Sequence, residues 1–221
     1  AEKPMPTLCT QCVTPAVWPG IRFDRRGRCS LCRAYERRWG AWLTRPEVRE
    51  RHLHALEAQL LRAQARRRGE FDILVPISGG KDSLYVLYWL HTYYRLRILT
   101  YTYDNGLFHP GARENIHRAT SALNVPHVWE KLPFQESLVR HHLRLTGNFC
   151  GACVLPYLIG SYRCAREHGI GLIAFGLSRR TDANLPDGMN PFYFRNVVNA
   201  GFGMSRFHAA WGRLPELDYL L

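Results

Sequence analysis

The stretch FDILVPISGGKDSLYVLYWL, residues 71–90, constrains this chain more than any other. An apolar run rich in β-branched residues stops at Ser78-Gly79-Gly80, and a second apolar run of helical length starts at Lys81. That is the pattern of a strand, a tight turn and a helix. Such a turn presents unpaired backbone N–H groups and the positive end of the helix dipole to an anion. Gly79 and Gly80 can take positive φ and leave phosphate oxygens room to reach the backbone. Ser78 and Ser83 add hydroxyl donors and Lys81 a compact positive charge, while Asp82 reads as a Mg²⁺ ligand or a helix cap. The GxxxxGK(S/T) spacing of the common phosphate loop is absent.

After this loop the pattern alternates: strand 71–77, helix 81–94, strand 97–103, helix 111–123, strand 127–132, helix 134–145, helix 154–168 and strand 171–175. Alternation of that kind predicts an α/β fold, a parallel sheet with helices on both faces. Ligands of such sheets sit beyond the carboxyl ends of the strands. Three informative segments fall there: Ser78 to Ser83, Asp104-Asn105-Gly106, and Gly176 to Asp182.

The hexapeptide SGGKDS, set between apolar strand and apolar helix, resembles the signature of the PP-loop ATP pyrophosphatases. The resemblance implies that residues 78–83 bind the pyrophosphate end of ATP and that AMP is transferred to a substrate oxygen, with Lys81 and Asp82 in the chemistry. YTYDNG resembles the second-strand end of that superfamily, which implies adenine held by backbone and Asp104 near Mg²⁺. LIAFGLSRRTD resembles its fourth-strand segment, where Gly176 would let the AMP phosphate approach.

Cys9-x2-Cys12 and Cys29-x2-Cys32, with 16 residues between the pairs, have the spacing of a tetrahedral Zn²⁺ site filled by protein ligands, hence structural. An iron–sulfur cluster or two disulfides are the alternatives. CTQCVTPAVWPGIRFDRRGRCSLCRAYE and TYDNGLFHPGARENIHRATSALNVPHVW resemble the N-acetyl sugar amidotransferase family, where a cysteine knuckle precedes the PP-loop domain. On these readings the chain has a knuckle over 1–44, a connecting helix over 45–69, a PP-loop domain over 70–188 and an aromatic, arginine-rich tail over 189–221.

A second pair, Cys150-x2-Cys153, is followed by Cys164. A CxxC entering a helix can yield a thiolate that ligates metal or carries sulfur, and the segment resembles the CxxC of PP-loop tRNA thiolases. Three readings stay open: a 4Fe-4S cluster on Cys150, Cys153 and Cys164, a redox or persulfide pair, or a structural role. Eleven residues of unbroken helix would hold Cys153 and Cys164 about 16 Å apart, so a shared cluster requires a break at Pro156 or Gly160. His52, His54, His141 and His142 read as solvated helix residues.

The net charge of +12 is carried almost wholly by arginine, since Lys3, Lys81 and Lys131 are the only lysines. It favours an anionic partner, RNA or a nucleotide-linked small molecule. The tail either packs back on the domain, makes a homodimer contact or stacks on bases. No apolar run reaches the roughly 20 residues of a membrane span, the first residues lack a secretory pattern, and CxxC cysteines favour a reducing, cytoplasmic setting. The resulting expectation is adenylation of a carbonyl or amide oxygen and its replacement by sulfur from a donor protein. The alternatives are replacement by nitrogen, with ammonia from a partner glutaminase, and an RNA-binding module with a regulatory ATP site.

Overall fold

The computed structural model describes residues 7–147, 149–177 and 209. The chain divides into two compact units, 1–60 and 61–221. In the first, antiparallel bridges pair Leu8 with Pro15 and Phe23 with Cys29. Helices α1 (Ser30–Thr44) and α2 (Pro46–Ala65) follow. Arg45 between them is extended, as expected of a residue that precedes proline. The periodicity reading recovers α2 but misses α1, whose cysteine and arginines hide its start. Among the described residues of 7–60 only Cys9, Cys29 and Leu60 are buried.

The second unit holds a parallel sheet of β1 (Ile73–Pro76), β2 (Ile98–Tyr103) and β3 (His127–Glu130), in that order. Ile73 pairs with Ile98, and Thr100 with His127. Every residue of β1 and β2 is buried, as befits strands covered on both faces, which read as apolar runs without alternation. The predicted strand 171–175 is reduced to a parallel bridge between Ile173 and Leu74, held by Leu74 N–H to Leu172 O (3.0 Å) and Ala174 N–H to Leu74 O (2.9 Å).

Helices α3 (Lys81–Tyr94) and α4 (Pro110–Ala122) connect β1 to β2 and β2 to β3; α5 (Gln135–Thr146) and α6 (Cys150–Glu167) carry the chain back to Ile173, beside β1. Because parallel crossovers are right-handed, the reversal of direction puts α5 and α6 on the face opposite α3 and α4. One core joins Leu74, Leu99, Tyr101 and Tyr103 of the strands to Leu138 of α5 and Leu155, Ile159 and Cys164 of α6. Alternate strand residues Ile73, Val75 and Ile98 turn the other way and are equally buried, as are Leu87 and Leu90 of α3 and Ile116 of α4. The reversal also sets the turn after β1 beside the segment after Ile173, the crevice where open α/β sheets bind ligands.

Candidate active site and metal centre

The turn after β1 is tied by its own serines. Ser78 N–H donates to Ser83 Oγ (3.2 Å), the two hydroxyls lie 3.4 Å apart, and Ser83 Oγ–H donates to Gly80 O (3.1 Å). Gly79 sits at φ +75°, and a Cβ there would meet Ala112 O at 2.2 Å. Gly80 is the N-cap of α3 and brings no side chain to cap it, so the first-turn N–H groups face outward as an anion site. Lys81 Nζ lies 2.7 and 2.9 Å from the Asp82 carboxylate oxygens, and both side chains are exposed.

A cavity of about 250 Å³ opens beside this turn, lined by Ser78 and Ser83 from the turn, Tyr103 and Asn105 from the end of β2, Gly176, and Cys153 of α6. Phe108 and Tyr157 supply its apolar walls. Gly176 belongs here for a reason of contact: a Cβ would come within 2.6 Å of Ser83 Cα and 2.7 Å of Ser83 N. Thus three segments singled out in the sequence meet with one thiol of the second cysteine pair. Lys81, Asp82, Asp104, Cys150 and Cys164 are not part of the lining.

Asp104 is engaged elsewhere. Its Oδ1 accepts from Gly106 N–H (2.9 Å) and its Oδ2 from Arg113 (2.5 Å). Although burial opposes it, these partners and Lys131 hold the carboxyl below the usual carboxylate range. Arg113 in turn stacks over the Phe108 and Trp129 rings. Asp82 is the exposed carboxylate at the loop, and it suits Mg²⁺, which commonly takes one carboxylate together with substrate phosphates.

The predicted start of α6 at 154 moves to Cys150, so both thiols sit at the head of this helix. The helix runs unbroken through Pro156. Proline lacks the N–H that would reach the carbonyl four residues back, here that of Ala152. The carbonyl instead accepts from Gln135 Nε2 at 3.1 Å. The condition for a shared cluster, a break at Pro156 or Gly160, is therefore not met. Cys153 and Cys164, eleven residues apart on this unbroken helix, are held too far from each other to share one cluster. Cys164 lies in the core, its thiol pushed up to about 11 by burial and then by Glu167 and Glu130.

Burial also raises the Cys153 thiol; the Asn105 side chain pulls the other way and Cys150 adds to the rise. Gln135 is 1% exposed, and its Nε2 lies 3.9 Å from Cys153 Sγ. No sequence signal singled out Gln135, since a glutamine opening a helix is unremarkable. The pair at 141–142 needs correction: His142 is fully buried, because it lies one turn beyond buried Leu138 on the core face of α5. His52 and His54 are exposed, as expected.

In the first unit the Sγ atoms of Cys9, Cys12, Cys29 and Cys32 lie within 4.8 Å of one another, with Cys9–Cys32 at 4.0 Å and Cys12–Cys29 at 3.6 Å. A tetrahedron of thiolates about 2.3 Å from one ion has sulfurs about 3.8 Å apart, so the four fit a single ion. These separations exclude disulfides, which need about 2.05 Å, and none of the seven cysteines is in one. The N–H groups of Gln11 (3.4 Å) and Cys29 (3.2 Å) point at Cys9 Sγ, and that of Cys32 (3.4 Å) at Cys29 Sγ. Against burial, N–H groups of Cys12, Gln11 and Cys29 bring the Cys9 thiol down to about 6, whereas burial and the three neighbouring thiols push Cys32 up. Four thiolates so close need a cation.

Fold and site thus define, in the second unit, a parallel α/β sheet whose first strand–helix turn opens on a thiol-bearing cavity and, in the first unit, a group of four cysteines spaced to hold one metal ion. No family model matches the sequence, and no curated protein matches it. Among solved structures the chain is similar to the U34-tRNA thiolase of Methanococcus maripaludis with its 4Fe-4S cluster, at 15% identity and a TM-score of 0.40, covering 97% of this chain and 71% of that one. Among the described residues no helix is long and apolar enough to cross a membrane. The tail 189–221, apart from Ala209, lies outside the described residues.

Proposed function

We propose that this chain is a PP-loop ATP pyrophosphatase that adenylates a carbonyl or amide oxygen and replaces it with sulfur. One observation carries the reading: the serines of the anion-binding turn and the Cys153 thiol line the same cavity. The β and γ phosphates of ATP lie on the first-turn N–H groups of α3 and the hydroxyls of Ser78 and Ser83. Lys81 leaves its partner Asp82 to meet the departing pyrophosphate, and Asp82 takes Mg²⁺, which neutralises phosphate charge.

The substrate oxygen attacks the α phosphorus; the bond to the bridging oxygen breaks and pyrophosphate leaves with the electron pair. Cys153, loaded as a persulfide by a sulfane-sulfur donor protein, then attacks the activated carbon through its terminal sulfur. A carbon–sulfur bond forms, the carbon–oxygen bond breaks and AMP departs. Cys150 attacks Cys153 Sγ, which frees the thiolated product and leaves a Cys150–Cys153 disulfide for a thiol reductant to reset. The four-cysteine group takes zinc in a closed, structural site. The basic charge suits RNA as the acceptor.

Pyrophosphate release from ATP and Mg²⁺, across RNA and nucleotide-sugar acceptors, tests adenylation. Lys81→Ala is expected to lower it at least a hundredfold with little loss of stability, since an exposed ion pair contributes about 0–1 kcal/mol. Release equal to wild type in that variant overturns the adenylation reading. Cys153→Ser should keep pyrophosphate release and lose sulfur incorporation. In the amination reading, with ammonia from a glutaminase, Cys153 has no step, and full product formation by Cys153→Ser would decide for it.

A further inference from the structure

One side-chain amide reaches the Cys153 sulfur and a second lines the cavity beside it, each held in orientation by another partner. Gln135 Oε1 accepts from the Tyr103 hydroxyl, which leaves Nε2 facing Ala152 O at 3.1 Å and Cys153 Sγ at 3.9 Å. Asn105 Oδ1 accepts from Leu107 N–H at 2.9 Å, which leaves its amide nitrogen as the group free of that bond, and Asn105 lines the same cavity wall as Cys153, whose thiol its side chain draws downward against burial. The two donors come from different elements, Gln135 from the first residue of α5 and Asn105 from the turn after β2. Gln135 is buried, whereas Asn105 and Cys153 line the cavity.

A neutral thiol is a weak acceptor and gains little from two N–H donors. A sulfur that carries negative charge gains from each, because hydrogen bonds to an ionised group are about twice as strong as neutral ones. The donors also give the sulfur a direction, toward the wall shared with Ser78 and Ser83.

We propose that Gln135 and Asn105 are positioning residues that form a two-amide cradle for an anionic sulfur on Cys153, thiolate or persulfide, and hold it toward the cavity. This rests on the proposed function, in which Cys153 delivers the sulfur, and it adds what holds that atom in place. The titratable groups facing Cys153 are Cys150 on its own helix and Tyr103 on β2, with Tyr157 on the same cavity wall.

A simpler role competes for Gln135, that of serving only the Ala152 carbonyl freed by Pro156. Alkylation of Cys153 by iodoacetamide against pH, followed by peptide mass spectrometry in the full-length Cys150→Ser protein, separates the two. It uses neither ATP nor acceptor, so it can succeed where pyrophosphate release fails, and the reverse. Removal of a donor raises the thiol pKa. Gln135→Leu, and separately Asn105→Ala, should therefore move the midpoint upward and slow the reaction about tenfold below it, the equivalent of about one pH unit, while the high-pH plateau is not lowered. A packing defect would instead speed the reaction at every pH by opening access. Tyr103→Phe, which removes only the hydroxyl that fixes Gln135, should give a smaller shift of the same sign and serves if Gln135→Leu does not fold. In a Pro156→Ala background, where the carbonyl regains a backbone partner, the Gln135→Leu shift should persist. An unmoved midpoint in Asn105→Ala and Tyr103→Phe, or loss of the Gln135→Leu shift in that background, overturns the cradle.

Discussion

At the scale of single residues the site depends on two glycines, each with protein backbone where a Cβ would go. The sequence reading reserves the space at Gly79 and Gly176 for phosphate; the structure puts Ala112 O beside Gly79 and the first turn of α3 beside Gly176. Gly79→Ala carries about 1–2 kcal/mol for left-handed backbone alone, and the contact at 2.2 Å forces the turn off α4. Thermal denaturation should show a clear loss of stability together with weaker ATP binding. Gly176→Ala has no such conformational cost, because its φ lies outside the positive region, yet it must push its segment away from Ser83. We expect near-normal melting and an increase of about tenfold in KM for ATP, measured by pyrophosphate release. A variant with unchanged KM would mean that the crevice yields there without disturbing the phosphate turn.

At the scale of elements, α6 departs most from what a chain of residues announces. A proline seven residues into a helix argues for a break, yet the helix continues because the unpaired carbonyl of Ala152 finds the Gln135 amide, 17 residues earlier in the chain. Local pattern contains no record of such a partner. The strands and α3 were legible because β-branched runs, glycines and helical length act over a few residues, and α3 spans 81–94 as read. The fourth strand, read over 171–175, is shorter than read, since its pairing is limited to Leu74 and neighbouring Gly171 and Gly176 give no side chains to extend it. Pro156→Ala should restore the bond to Ala152 O and stabilise α6 by roughly 1–3 kcal/mol, given the cost of proline inside a helix. Urea denaturation checks the sign. A destabilised variant would mean that the Gln135 bond to Ala152 is worth more than a helical one.

At the scale of the whole molecule, the two units are held by different means. The second has strands buried on both faces and helices on either side, a core that can stand by itself. The first buries only Cys9, Cys29 and Leu60 among its described residues, far too little apolar surface to fix loops over 7–29. The spacing of its four cysteines was fully legible; the N–H groups aimed at their sulfurs were not, since they depend on how the loops fold around the centre. A structural Zn²⁺ supplies about 10–16 kcal/mol of apparent binding free energy in small zinc-finger peptides, enough to take the place of a core. Chelation should therefore unfold the first unit and leave the second intact. Hydrogen exchange is the measurement: amides of 9–32 should lose protection when the metal is stripped, while those of β1 and β2 keep theirs, and one metal ion per chain should restore it. Cys9→Ser should act in the same way without chelator, because the loops cannot close around three ligands and a buried hydroxyl. If the amides of 9–32 stay protected without metal, the loops are held by the backbone bridges of Leu8–Pro15 and Phe23–Cys29 alone, and the ion, if bound at all, contributes nothing to the fold.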